Sequence, residues 1–219
     1  MTRSATTLAA TATARAPYRA TEGLLLAGAA AGPVFFASAI TQMLTREGFD
    51  ITRHPISQLA TGDLGWIQIL TFVTAGVGAL ALAAGIGRTL TEGTGRRALP
   101  VLVGIFGIGL IAAGVFTMDP ENGFPAGTPD GPVAQMSWHS VAHSAAAAVA
   151  FTALAIAALV LCVRCARRRL VVPAVGSAVA GLVLLVPITP EYMSVQIAIN
   201  GLVAFTWTTV LALTCRRAV

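Results

Sequence analysis

The chain has no lysine; all 14 of its basic residues are arginine. Charge of either sign is scarce, at 11% of residues against about 25% in a soluble domain. No G-x-S-x-G nucleophile elbow and no P-loop is present, and the aspartate-rich motifs of soluble terpene synthases are missing too. Those absences set aside the common serine hydrolases, P-loop nucleotide enzymes and soluble cyclases. Cysteine is limited to Cys162, Cys165 and Cys215. All three sit beside arginine clusters, and Cys162-x-x-Cys165 lacks a second pair or a nearby histidine. They read as reduced thiols, not as a redox or zinc motif.

What remains is apolar. Of 219 residues 56% are hydrophobic, and the mean hydropathy is +0.79. This is the composition of one integral membrane bundle with the lipid bilayer as its partner. The isoelectric point of 10.1 does not indicate nucleic acid, because the arginines fall at the ends of apolar runs.

Residues 1–20, rich in Ala, Thr and Arg, read as a disordered cytoplasmic tail, and 21–219 as a transmembrane domain. Apolar runs over 23–44, 65–86, 100–118, 137–163, 170–188 and 195–214 are each taken as long enough to cross a ~30 Å hydrocarbon core. Ala37-Ser38-Ala39 has the form of a signal-peptidase site, but the apolar run continues past it, so this stretch reads as a retained span. Gly76-x-Gly78 and Gly107-x-Gly109 mimic a nucleotide fingerprint without a preceding strand, and read as helix packing. The expected fold is all-α, a bundle of six transmembrane helices.

Arginine placement orients it. Only Arg46 and Arg53 fall in the three loops between odd and even spans; the other twelve lie in the tail, the opposite loops and the C-terminus. By the positive-inside rule both termini are cytoplasmic, which gives a multi-pass protein of the cell membrane. Seven of the nine acids, and all three histidines, lie on the other side or near it.

The chemistry concentrates between Phe116 and Ser144. Asp119-Pro120 follows the third span directly, and His139 and His143, four residues apart, share one face of the fourth. An acid at the hydrocarbon edge is costly unless paired, and an imidazole beside it makes a proton donor and relay. Glu191 and Asp63 are further acids at the same interface. Trp66, Trp138, Tyr192, Phe116 and the deeper Trp207 supply aromatic faces, either as an interfacial belt or as a substrate pocket. His54, Asp119, His139 and His143 could instead form a zinc ligand set.

His54-Pro55-Ile56-Ser57-Gln58-Leu59-Ala60-Thr61-Gly62, followed by Gly65-Trp66-Ile67-Gln68, resembles a bacterial family of small integral membrane proteins, the domain of unknown function of type 998. Asp119-Pro120 after the third helix and His139 opening the fourth fit its pattern as well. In size and hydropathy the chain also resembles bacterial membrane-bound terpene cyclases that act on prenylated indoles in secondary metabolism. That likeness implies an isomerase working on an isoprenoid: protonation of a linear prenyl chain, cation-guided ring closure and proton loss. The inventory Ser57, Asp119, His54, His139 and His143 is similar to that of membrane zinc hydrolases with seven spans.

The leading expectation is a terpene cyclase-type enzyme that needs no cofactor and acts on a lipophilic small molecule. Asp119 would be its proton donor, with His139 and His143 as relay, in a pocket between helices two, three, four and six. The alternatives are a zinc-dependent lipid hydrolase and a non-catalytic structural or lipid-binding membrane protein.

Overall fold

In a computed structural model the backbone is described over residues 3–217 and the side chains over residues 18–217. Much of the expected tail over residues 1–20 lies outside the described side chains. The protein is all-helical. Its helices are α1 (Arg3–Thr45), α2 (Gly65–Thr89), α3 (Ala98–Val115), α4 (Trp138–Arg167), α5 (Val171–Leu185) and α6 (Met193–Arg217). Short 3-10 turns at Ile56–Ala60 and Pro190–Tyr192 punctuate two of the loops.

Lipid offers the backbone no hydrogen-bond partner, so apolar runs of this length close their bonds internally as helices. Among the described residues five helices are long and apolar enough to cross a membrane: α2, α3, α4, the Tyr18–Thr45 part of α1, and α6 with its preceding turn. The chain is therefore a multi-pass membrane protein. The expected span over 170–188 departs from this set. There α5 holds only 15 residues, about 22 Å at 1.5 Å per residue. Pro187 causes the early stop, because a proline drives the residue before it out of helical geometry; Val186 has ψ 126°.

Consecutive helices pack side by side from α1 to α5, and α6 returns against α1. Glycines set the closest crossing. A Cβ on Gly76 would stand 2.6 Å from the carbonyl oxygen of Gly107, and one on Gly107 would stand 2.8 Å from that of Gly76. The Gly76-x-Gly78 and Gly107-x-Gly109 motifs are thus helix-packing surfaces, as read from the sequence: Gly76 and Gly107 join α2 to α3, while Gly78 faces Ala31 of α1 and Gly109 faces Ala150 of α4. The core runs through the bundle on Phe35, Phe72, Phe106, Leu82, Leu154 and Phe205.

The two ends of the bundle differ in their loops. At the arginine-rich end the buried Arg164 donates from Nη1 to the carbonyls of Glu92 and Thr94, both at 2.8 Å. Arg216 pairs with Glu22 at 2.8 Å, so the Tyr18–Thr45 part of α1 starts where α6 finishes. At the opposite end the loops over 46–64 and 116–137 fold onto each other as a lid. Arg46 donates to the carbonyls of Leu59 (2.5 Å) and Thr61 (2.8 Å), and its guanidinium lies 4.7 Å from the centre of the Phe124 ring. Arg53 meets Asp130 at 3.0 Å, but both side chains are more than half exposed, so that pair adds little.

Candidate functional site

Beneath the lid lies a cavity of about 60 Å3. Its walls come from α1 (Phe35), the 3-10 turn (Ile56, Ser57), α2 (Phe72), α3 (Leu110, Ala113), α4 (His143, Ala147, Phe151) and α6 (Ile197, Phe205). The pocket expected between helices two, three, four and six is present, and α1 and the first lid loop enclose it as well.

His143 is the one ionisable side chain in this lining, and the way α3 ends fixes its state. The last carbonyls of a helix have no partner within it. Two such groups, Ala113 O at 2.8 Å and Phe116 O at 2.9 Å, both meet Nδ1 of His143. A carbonyl only accepts, so Nδ1 carries the proton. In the neutral ring Nε2 is then the free acceptor. Among the described residues Nε2 has no hydrogen bond to the protein. A buried, oriented imidazole with one free basic nitrogen can accept a proton or a hydrogen bond from a molecule in the cavity.

Ser57 lies at the lid side of the cavity, where its hydroxyl donates to the thioether of Met118 at 2.9 Å. The remaining walls are apolar and include four phenylalanines, Phe35, Phe72, Phe151 and Phe205. Phe35 and Phe205 stack with centroids 4.7 Å apart, and Phe72 meets Phe35 edge-on at 5.4 Å. Such faces carry negative potential and favour a nearby cation.

Most residues singled out from the sequence do other work. Asp119 accepts a 2.7 Å hydrogen bond from the amide of Ser137, the residue whose own side chain caps α4 by accepting from Ser140 N. The carboxylate therefore braces the start of α4. His139 tilts against Trp138 at 3.8 Å and meets Phe116 edge-on at 5.9 Å, in the half-buried layer at the loop. Trp66, Trp138 and Tyr192 are exposed at 57%, 66% and 61%, as an interfacial belt is. Trp207 is buried and donates to Ser177 Oγ at 3.1 Å, joining α6 to α5. Asp63 and Glu191 are exposed. Of the residues named as catalytic or aromatic candidates, only His143 faces the cavity.

His54 is a structural residue. Its Nδ1 accepts from the amide of Asp50 at 2.9 Å, and Nε2 meets the carbonyl of Asn122 at 3.0 Å. With both nitrogens occupied and its ring between Phe49 and Phe124, it fastens one lid loop to the other. Asp50 in turn is held below the usual carboxylate range by the hydroxyl and amide of Thr52. Among the described residues, no three of His, Cys, Asp and Glu group closely enough to hold a metal ion. The set His54, Asp119, His139 and His143 is not drawn together.

Sequence reasoning missed a layer of glutamines. Gln42, Gln58 and Gln68 are 4%, 0% and 0% exposed. Gln42 Nε2 donates to Gln68 Oε1 at 2.8 Å, and Ser38 bonds Thr71 at 2.6 Å. Among the described residues, Gln42 Oε1, Gln68 Nε2 and both amide atoms of Gln58 have no protein partner. Gln42 lies seven residues after Phe35 and Gln68 four before Phe72, so each sits toward the lid on the helix face that lines the cavity. Three amides in or beside apolar runs were the available signal.

The family described as "Protein of unknown function (DUF998)" matches residues 29–214, and the chain belongs to that family. No curated protein and no solved structure matches the chain. The matched stretch takes in the lid, the cavity, α2 to α5 and the greater part of α6, and enters α1 at residue 29.

Proposed function

We propose that this member of the DUF998 family is a membrane-embedded enzyme that draws the end of a lipophilic molecule into the cavity and uses His143 as its base. One observation carries the reading: a buried imidazole that lines an apolar space is locked through Nδ1 by two helix-end carbonyls, which leaves Nε2 without a hydrogen bond among the described residues. An apolar wall keeps water away from that nitrogen, so a proton it takes is not lost to solvent.

The phenylalanine walls favour a second, narrower form of this reading, cyclisation of a prenyl chain with the rings shielding the cation. In that form His143 removes the final proton. No carboxyl lies in the cavity lining; Asp119, bonded to Ser137 N, is the acid nearest in sequence to Phe116, whose carbonyl holds His143.

For topology, we infer six crossings with both termini cytoplasmic, in the cell membrane. Arginine placement supports this orientation, as does the Glu22–Arg216 pair that joins the first and last helices. In this arrangement α5 crosses with the help of the extended apolar stretch 186–188.

The test compares lipophilic extracts of membranes expressing the wild type, His143→Gln and Asp119→Asn. A product present with wild type and absent with His143→Gln supports the base. Its loss with Asp119→Asn, at unchanged protein level, supports acid-initiated cyclisation. Identical extracts from wild type and His143→Gln would refute the proposal.

A further inference from the structure

The residues lining the cavity are buried with three exceptions, Ala147 and Phe151 on α4 and Ile197 on α6. All three lie on one side, and the shortness of α5 explains why. α5 runs antiparallel to α4, and a Cβ on Gly181 would stand 3.1 Å from the carbonyl of Ala155. Four residues further, Leu185 comes level with about Phe151, and there α5 ends. Past that point nothing on α5 covers Ala147 or Ile197. The segment after it is drawn toward α6 instead, where Gln196 binds Pro187 O at 2.8 Å and Thr189 N at 3.1 Å.

The water-facing route is closed. Leu59 and Phe124 are 0% exposed and Ile56 7%, and Arg46 and His54 bind the two lid loops through five contacts with backbone groups and the Phe124 ring. Ala147 lies nine residues past the start of α4, about 14 Å down the helix at 1.5 Å per residue. That depth is within the hydrocarbon layer. The outward neighbours there are apolar: Val149 is 58% and Ile199 50% exposed.

We propose that the gap between α4 and α6, left by the early end of α5, is a lateral portal through which an unbranched or isoprenoid hydrocarbon chain enters from the bilayer. A space of about 60 Å3 admits only the tip of such a chain, so the remainder stays among the lipid tails. The chain then reaches His143 without crossing the lid. This inference rests on the cavity being the binding site; it adds the route and the class of ligand.

The experiment uses the full chain in phosphatidylcholine vesicles with a twelve-carbon alcohol bearing a diazirine at its terminal carbon as the probe. After illumination, adducts are mapped by peptide mass spectrometry. Wild type is expected to carry adducts at the buried residues Phe205 or Leu110 as well as at exposed Val149. Ala147→Trp, and independently Ile197→Trp from the facing helix, should lower the buried adducts at least tenfold and leave those at Val149 unchanged. The lid variant Phe124→Ala should leave both unchanged. Buried adducts that persist in both tryptophan variants would overturn the portal while leaving the cavity as a binding site. Buried adducts absent from wild type would overturn portal and binding site together. A portal that passes this test while His143→Gln leaves the membrane extracts unaltered would refute only the catalytic role.

Discussion

Both ends of the bundle are closed by the same device, an arginine donating to two carbonyls of a neighbouring loop. Arg164 does so to Glu92 and Thr94, and Arg46 to Leu59 and Thr61. What lies beneath differs. Under Arg164 the chain is filled with Leu99, Leu154, Ala157 and Ala158, all 0% exposed. Under Arg46 come a layer of glutamines with unpartnered amide atoms and then a cavity. A sealed loop thus identifies no site by itself; the polar groups left free below it do.

That contrast can be broken by substitution. The largest loss is expected for Arg164→Ala. It removes a nearly inaccessible guanidinium and the two charge-assisted bonds that tie α4 to the loop before α3, at about 3 kcal/mol. Arg46→Ala should cost about 2 kcal/mol, because the Arg46 side chain is only half-buried and its charge is less withdrawn from water than that of Arg164. Apparent unfolding temperatures in one detergent would rank the two, and equal values would mean that the ends are sealed alike.

His143→Gln should cost about 1 kcal/mol, since one side-chain amide N–H can replace part of the Nδ1 contact, while the predicted turnover disappears. Stability and activity read on the same preparation separate a base from a mere brace. Gln58→Met is expected to change stability by less than about 0.5 kcal/mol, or to raise it, because a buried amide without protein partners gains little from being polar. At the matching depth of the other end, Leu99→Gln should destabilise by about 2 kcal/mol through burial of an unpaired amide.

Much of the frame was legible in the chain. Long apolar runs, arginines at their ends and glycine pairs are direct consequences of hydrocarbon solvation and close helix contact, and the helices followed. The length of α5 was misjudged from apolarity alone, although Pro187 marks its end by a local steric rule. The site was legible in part. His143 was named, but which nitrogen is free depends on where the carbonyls of α3 finish, and spacing cannot supply that. Asp119 drew notice because charge is rare here; an aspartate beside a helix start finds a backbone amide first. The glutamines escaped because they carry no charge.

The central claim is that the space beneath the lid takes up a hydrocarbon chain from the membrane. Its most direct test is mass spectrometry of what stays bound when the protein is extracted in mild detergent, with wild type, Ala147→Phe and Arg164→Ala side by side. The account predicts a lipophilic molecule retained by wild type and by Arg164→Ala, and reduced at least tenfold in Ala147→Phe, whose ring closes the gap between α4 and α6. Equal retention by wild type and Ala147→Phe, or none by either, would contradict it.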